Sequence, residues 1–372
     1  MKKDKYKVVI VGFAHVHIND VAKHFYEHPR IELCGAADVP PKVPELKPGA
    51  IYTRMWNIDY CCKNYSINKY SDWKLMLDEV KPDLCIVNSE NCYHVEITEA
   101  CAERGIGISI EKPMATSMED AVKMYRAAKT HGIFAMVNWP ITWNAGLHTV
   151  KRLVDEGAIG DIIEVKTRMG HTGPLGPGAK HKIEETSEPM TEAEKCSTWW
   201  HQAASGGGAM ADYCCYGAMV SYWMAGQEAV AAIGMRTNSI HTMGDAEDNA
   251  AMLVRYPNCY AVLEGTWTTY NHTFKSPIVY GTKGALVGDY KTGKVQLYHP
   301  DGTTENIIND EMPEKLKDVA CAYVHHMDTE EPLHCTAQFE YNLGAMAILD
   351  AGIRSANTGK LEIVEDIHWK VG

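Results

Sequence analysis

The chain has 372 residues, 45% of them hydrophobic and 23% charged, the composition of an ordinary globular protein with length for about two domains. That excludes a disordered chain and a collagen-like fibre. A net charge of -12 opposes a nucleic-acid-binding surface, because phosphate contacts need clustered Lys and Arg.

The basic start Met1-Lys2-Lys3-Asp4-Lys5 leads into a short run with no small-residue cleavage site behind it, so no signal peptide is expected. No apolar run approaches the roughly 18 residues of a membrane span. Twelve cysteines without an export signal read as free thiols in a reducing cytoplasm. The doublets Cys61-Cys62 and Cys214-Cys215 lack zinc-type spacing, and no metal is expected.

In chain order, residues 7–12 form a β-rich run, 17–27 read as a helix and 32–37 as a second strand ending at Asp38. Pro40, Pro41, Pro44 and Pro48 mark a loop. Residues 72–80 read as a helix, 84–88 as a strand, 95–104 as a helix and 106–110 as a strand; a helix from about Ser117 and a strand at 134–139 complete the pattern. Strands alternating with helices imply right-handed crossovers and a parallel, doubly wound sheet. After Trp139 the pattern changes. A helix at 142–156, a turn at 157–160 and a strand at 162–169 precede a long loop at 170–197 and a helix at 209–224. Strands at 230–237, 250–255, 260–267, 277–280, 285–287 and 295–298 follow without intervening helices, which implies a large, mostly antiparallel sheet. A last helix at 339–356 packs either on that sheet or back on the first unit.

The nucleotide signal lies at the first strand-to-helix turn. A G-x-G-x-x-G fingerprint falls on Gly12, Ala14 and His17, so only its first glycine is present. Ala14 still permits close backbone approach to a pyrophosphate, whereas His17 cannot reproduce glycine's packing. Asp38 stands where a carboxylate bonds a ribose 2′-hydroxyl and repels a 2′-phosphate, so NAD is favoured over NADP, with Lys42 as the opposing consideration. His15 and His17, two apart on this turn, read as capping or cofactor-touching groups rather than metal ligands. Lys112, in Glu111-Lys112-Pro113, closes the run 106–110 at the carboxyl end of a parallel strand, where such sheets place their ligands.

Gly12 and Asp38, Asn91-Cys92-Tyr93-His94, Glu111-Lys112-Pro113, Gly157-Ala158-Ile159-Gly160, Trp199-Trp200, Gly206-Gly207-Gly208-Ala209 with Asp212, and Tyr280-Gly281-Thr282-Lys283-Gly284-Ala285 occur in an order and separation that resembles the Gfo/Idh/MocA oxidoreductases over almost the whole chain. The resemblance implies an NAD-binding Rossmann domain over residues 1–140 and a substrate-binding α+β domain over 141–372, whose open sheet supports a homo-oligomer. It implies cofactor contacts from Gly12, Phe13, Ala14, His15, Asp38, Asn88, Asn91, His94, Glu111 and Lys112. Asp212 and Tyr216, four apart, share one face of the expected helix. In the inositol-dehydrogenase branch the second position is a catalytic His; here it is Tyr216, as in members similar to glucose-fructose oxidoreductase. By this resemblance Lys112 polarises a hydroxyl, Tyr216 relays its proton and Asp212 orients the sugar or Lys112, with the first two roles exchangeable. Burial beside a nicotinamide cation is expected to lower the Lys112 pKa.

Trp139, Trp143, Trp199 and Trp200 offer aromatic faces to a sugar ring or aryl aglycone, with Asn138, His171, His201 and Asn271 as hydroxyl partners. Pro140 and Ile141 replace the family's frequent Arg pair, which argues against a carboxylate or phosphate on the substrate. The resemblance therefore implies an NAD-dependent oxidoreductase of a sugar or glycoside hydroxyl. One form is oxidation of a glucosyl C3 to a 3-keto glycoside, ahead of a separate enzyme that cleaves the aglycone. Cyclitol dehydrogenase, redox-neutral NAD-dependent glycosidase and non-catalytic nucleotide-binding regulator are the alternatives.

Overall fold

The computed structural model describes residues 2–175, 189–269 and 274–364. Its first sheet is built from β1 (Tyr6–Val11), β2 (Ile31–Ala37), β3 (Leu84–Val87), β4 (Gly107–Glu111) and β5 (Ala135–Asn138), all parallel, in the order β2-β1-β3-β4-β5. β1, β3 and β4 are almost wholly buried, with Val, Ile and Leu prominent, as a sheet covered on both faces requires. The crossover helices are α1 (Ile18–Glu27), α2 (Arg54–Tyr65), α3 (Trp73–Val80), α4 (His94–Glu103) and α5 (Met118–His131). Asp72 accepts from Lys74 N and Leu75 N at the start of α3, and Ser117 from Asp120 N at the start of α5, so each helix begins at a capping side chain. Strand order reverses between β1 and β3, which opens a crevice at their carboxyl ends.

The expected helix at 142–156 is divided: a tight turn at Pro140–Trp143 is followed by α6 (Ala145–Asp155), capped by Asn144. Within the expected loop at 170–197, residues 176–188 lie outside the described residues, and Thr191 with Glu194 forms a capping box that starts a short helix, α7 (Glu192–Cys196). α8 (Cys215–Ala225) is preceded by a wide π-turn at Met210–Cys214, where a regular helix was expected.

The second sheet joins β6 (Ile162–Gly170), β7 (Ala231–Thr237), β8 (Asn249–Arg255), β9 (Tyr260–Thr266), β10 (Ile278–Gly281), β11 (Gly284–Gly288), β12 (Val295–Tyr298), β13 (Thr304–Ile307) and β14 (Glu362–Ile363) in the order β13-β12-β11-β10-β6-β9-β8-β7-β14. All neighbours are antiparallel except β6 and β9. α8 and α10 (Phe339–Thr358) cover one face, while Ile163, Ile233, Met235, Leu253, Tyr260, Tyr280 and Tyr298 stand exposed on the strands. The choice left open for the last helix is resolved as both: α10 packs on β7 and α8 and also touches α5 and β5, with Trp139 Nε1 donating to Asn342 at 2.7 Å. One continuous apolar cluster accordingly runs from the parallel sheet through α8 and α10 to the second sheet. α9 (Val319–Thr329) closes the other face of the parallel sheet. Among the described residues no helix is long and apolar enough to cross a membrane.

Candidate active site

Lys112 follows β4 and is 2% exposed. Its Nζ donates to Asp212 Oδ1 at 2.6 Å and to the Asp212 carbonyl at 3.0 Å, and lies 4.7 Å from the centroid of the Tyr216 ring. Asp212 sits in the π-turn, where its carbonyl also accepts from Cys215 Sγ, and its second oxygen accepts from Trp267 Nε1 at 3.0 Å. Asp212 and Tyr216, four positions apart, thus meet the ammonium of a lysine about a hundred positions earlier. An ammonium has three N–H donors, so one remains for a ligand.

The electrostatics correct one expectation. Burial disfavours the Lys112 ammonium, but Asp212, helped by Cys215 and Glu111, outweighs it and holds the Lys112 pKa above its ordinary value. Burial likewise works against the Asp212 carboxylate, and Lys112 and the Trp267 hydrogen bond more than offset it, so the Asp212 pKa is lowered. The two form an ion pair, not a neutral amine beside an acid. Burial pushes the Tyr216 phenol well above its usual range.

The crevice beside this pair carries the remaining cofactor set. Gly12 has φ +89°, and a Cβ there would lie 2.4 Å from the Ser89 backbone, so this turn admits only glycine. Phe13 N and Val39 N both donate to Asp38 Oδ1, while the Phe13 ring packs into the core beneath the sheet. The His15 ring meets Trp200 edge-on at 4.5 Å, and His17 Nδ1 lies 2.9 Å from Glu111 Oε1. Asn91 Nδ2 donates to Gly206 O, and His94 Nδ1 lies 3.1 Å from Met114 O. Asn88 Oδ1, Asn91 Oδ1, His94 Nε2 and Glu111 Oε2 are buried with no hydrogen-bond partner among the described residues. Unpartnered polar atoms around a glycine turn at the switch point fit a dinucleotide that would satisfy them. Ala14 O accepts from Trp199 Nε1 at 2.8 Å, which seats the Trp199-Trp200 pair over the turn, packed close beside Lys112.

At the ribose position the structure adds a group that the sequence did not signal. The Arg54 guanidinium is buried among Asp38 at 3.3 Å, Glu45 at 3.2 Å and Glu90. Burial raises the pKa of all three carboxylates against its pull. α2, which carries Arg54, has little apolar periodicity, and the sequence leads to no element there. Lys42 meets this cluster through its backbone N–H, which donates to Glu90.

On the opposite side of Tyr216 a cleft of about 480 Å³ is lined by His17, His24, Asn138, Trp143, Met169, Tyr213, Tyr216 and Tyr290 among others. Trp143 Nε1 donates to Asn138 Oδ1 at 3.1 Å, so these two expected substrate residues are brought together at its wall. His171 lies edge-on to Tyr213 at 5.4 Å, and burial lowers its pKa to about 4, so it is neutral at physiological pH. Trp200 stands beside Lys112 and His15 instead. Two expected substrate residues are displaced. Trp139 is 2% exposed, packs edge-on to Tyr216 at 5.3 Å and spends its N–H on Asn342, so it supports the site from the core. His201 is fully buried against His241 and Trp267. Asn271 lies outside the described residues. Tyr213, Tyr290 and Trp267 were missed, because isolated aromatics in apolar segments carry no signal distinguishing cleft from core.

Comparison with known proteins accords with this geometry. Residues 6–139 match the family model described as an oxidoreductase family with an NAD-binding Rossmann fold, and residues 147–287 match that of the GFO/IDH/MocA C-terminal domain. Levoglucosan dehydrogenase of Pseudarthrobacter phenanthrenivorans is 36% identical over 101 residues, 27% of this chain and 25% of that protein. A 2,7-anhydro-N-acetylneuraminate hydratase of Mediterraneibacter gnavus is 25% identical over 205 residues, 54% of this chain and 50% of that protein. The chain thus spans a quarter to a half of the length of these curated relatives. Among solved structures, aldose-aldose oxidoreductase from Caulobacter crescentus complexed with glycerol superposes with a TM-score of 0.74 at 19% identity, covering 96% of this chain and 99% of that one. Levoglucosan dehydrogenase in complex with NADH and levoglucosan gives 0.72 at 18% identity, covering 97% and 100%. At these identities the likeness shows the fold.

Proposed function

From the premise that this chain belongs to the Gfo/Idh/MocA oxidoreductase family, we propose that it oxidises a secondary hydroxyl of a neutral sugar or glycoside with NAD. The observation that carries the reading is the Lys112–Asp212 ion pair against the Tyr216 ring, at the border between the glycine-turn crevice and the aromatic cleft. Residues up to 140 hold the cofactor and the remainder shapes the substrate site. Gly12 gives the pyrophosphate its close approach, and Asn91, His94 and Glu111 offer the unpartnered atoms for the nicotinamide end. Asp38, with Glu45 and Glu90, already holds Arg54, so this buried guanidinium is committed to carboxylates rather than to a 2′-phosphate, which supports NAD over NADP.

The bound nicotinamide supplies the hydride acceptor. Lys112, charged and fixed by two bonds to Asp212, donates its remaining N–H to the substrate hydroxyl and stabilises the developing alkoxide. Tyr216, too buried to ionise alone, passes the hydroxyl proton toward the open cleft. Asp212 keeps Lys112 charged and aimed. Trp143, Tyr213 and Tyr290 give walls for a sugar bearing an aryl group, and the cleft's volume lies in the range of sites for ligands larger than one hexose. That favours a glycoside, with the glucosyl C3 hydroxyl as the site of oxidation and a separate enzyme cleaving the aglycone. The exposed apolar strand face, Ile233, Met235, Leu253 and Tyr260 among its residues, supports homo-oligomerisation through the second sheet.

The test is purified protein with NAD against aryl glycosides, free sugars and inositols, following NADH absorbance and product mass. A product lighter by two hydrogens from a glycoside supports the reading. Turnover of inositols alone, release of aglycone without net NADH, or no turnover with any of them refutes it.

A further inference from the structure

We propose that Cys196, His201 and His241, with the carboxylate of Glu192, bind one divalent cation of the zinc class. Cys196 ends α7, His201 lies one turn further on, and His241 comes from the loop after β7. All three are buried, at 2%, 0% and 6% exposure, and each offers a ligand atom within 4.8 Å of the other two. Both nitrogens of His201 and Nε2 of His241 have no hydrogen-bond partner among the described residues. Buried imidazoles normally spend both nitrogens, and a fully buried ring that spends neither is an acceptor waiting for a ligand.

The surroundings are those of a metal site. Glu192 Oε1 lies 3.0 Å from His241 Nδ1 and accepts from Cys196 Sγ at 3.2 Å. A carboxylate on Nδ1 sets the tautomer that leaves a lone pair at Nε2. A Cβ at Gly173 would stand 2.8 Å from that Nε2, so the glycine keeps its approach clear. The His241 backbone is clamped by Asp248, whose Oδ2 accepts from Ile240 N and from His241 N at 2.6 and 3.0 Å. A thiolate with two imidazoles is a borderline-soft donor set that selects zinc over magnesium or calcium. The Cys196 thiolate and the partly exposed Glu192 carboxylate balance a divalent charge at the edge of this buried cluster. Tetrahedral zinc sets neighbouring ligand atoms about 3.3–3.7 Å apart. The limit of 4.8 Å among Cys196, His201 and His241 therefore contracts by about 1 Å, chiefly through rotation of the Cys196 side chain. Binding forms an Sγ–metal bond and releases the Cys196 thiol proton to solvent, with no change of oxidation state.

The cation would tie residues 192–201 to the 238–248 loop on the far side of Trp267. That indole lies 5.0 Å from the His201 ring and donates to Asp212. Its role is to brace the wall behind the ion pair; it takes no part in hydroxyl chemistry. A second cluster, His15, His17 and Glu111, lies in the cofactor crevice and contains no thiol.

Cobalt titration of chelator-treated full-length protein tests the proposal. One equivalent should bind per chain, with a thiolate-to-cobalt charge-transfer band and intense tetrahedral visible bands, both bleached by zinc. Cys196→Ser should lose the charge-transfer band, and His241→Gln, which keeps the thiolate, should weaken cobalt binding about 100-fold. Cys335→Ser, remote in sequence and outside the cluster, should leave both unchanged. Absence of a thiolate band in the wild-type protein overturns the proposal without reference to any variant. So does a band that persists in Cys196→Ser, or unaltered affinity in His241→Gln.

Discussion

Replacing Lys112 by Met removes the ammonium while keeping most of the side chain's volume. It strands Asp212, whose side chain is 10% exposed and whose carboxylate then retains only the Trp267 hydrogen bond through its second oxygen. Breaking one partner of a buried pair costs about 3–5 kcal/mol, and losing a transition-state donor costs about 10²–10³ in rate. Lys112→Met should therefore lose at least a hundredfold in kcat while NAD still binds, since the glycine turn and Asp38 are untouched. Stability should change its response to pH. In the native protein the lowered Asp212 pKa adds stability above the unfolded value near 3.9, lost as pH falls through the folded value. The raised Lys112 pKa adds stability below about 10.4, lost as pH rises through its folded value. In Lys112→Met, burial, the largest influence on Asp212, is opposed by the Trp267 hydrogen bond but no longer by Lys112, so the variant should gain stability on mild acidification, where the native protein does not. Adding Asp212→Asn should recover much of the lost stability and none of the turnover, with a coupling of about 0.5–3 kcal/mol across the cycle. Urea midpoints from pH 5 to 9 and NADH formation for the four proteins decide it. Strictly additive stability losses, or wild-type turnover in Lys112→Met, would show that the pair is not the reacting centre.

Asp38→Ala should remove the carboxylate that repels a 2′-phosphate and leave Arg54 with one acidic partner fewer, shifting kcat/KM toward NADP at least tenfold relative to NAD, measured with both cofactors at fixed substrate. Trp139→Phe should lower stability by about 1–3 kcal/mol, because Asn342 Oδ1 loses its buried donor, with KM unchanged; Trp143→Ala should instead raise KM. His171, held near 4 by burial, contributes stability above the unfolded value near 6.5 that is lost as pH falls from there toward 4. The melting temperature of His171→Gln should accordingly fall less steeply than that of the native protein over that interval.

The alternation of strands and helices through Asn138 was legible because β1, β3 and β4 are short, mostly buried runs rich in Val and Ile, punctuated by capping residues at Asp72 and Ser117. α2 and α9 were not, since their apolar residues follow no clear helical stripe and tertiary packing decides their form. Lys112, Asp212 and Tyr216 could be paired across a hundred residues through family resemblance and spacing. The sign of the Lys112 shift could not, because it depends on a 2.6 Å contact that only the folded chain defines. Arg54 and its three carboxylates come from α2 and two separate loops, one carrying Asp38 and Glu45 and the other Glu90, each unremarkable alone. Trp139 was misassigned for a related reason: an aromatic next to a cleft strand reads the same whether it faces ligand or core.

The π-turn at Met210–Cys214 holds one residue more than a regular helix would need there. Deleting that residue would restore an even ladder of hydrogen bonds and turn everything upstream by about 100° about the axis. Asp212 would then leave the side that faces Lys112, and its carbonyl would return to the helix. Selection for helix regularity and selection for the site therefore pull in opposite directions at these five positions. A stabilised redesign that straightens this segment should fold better and lose the ammonium's anchor, which makes helix quality here a poor guide to fitness.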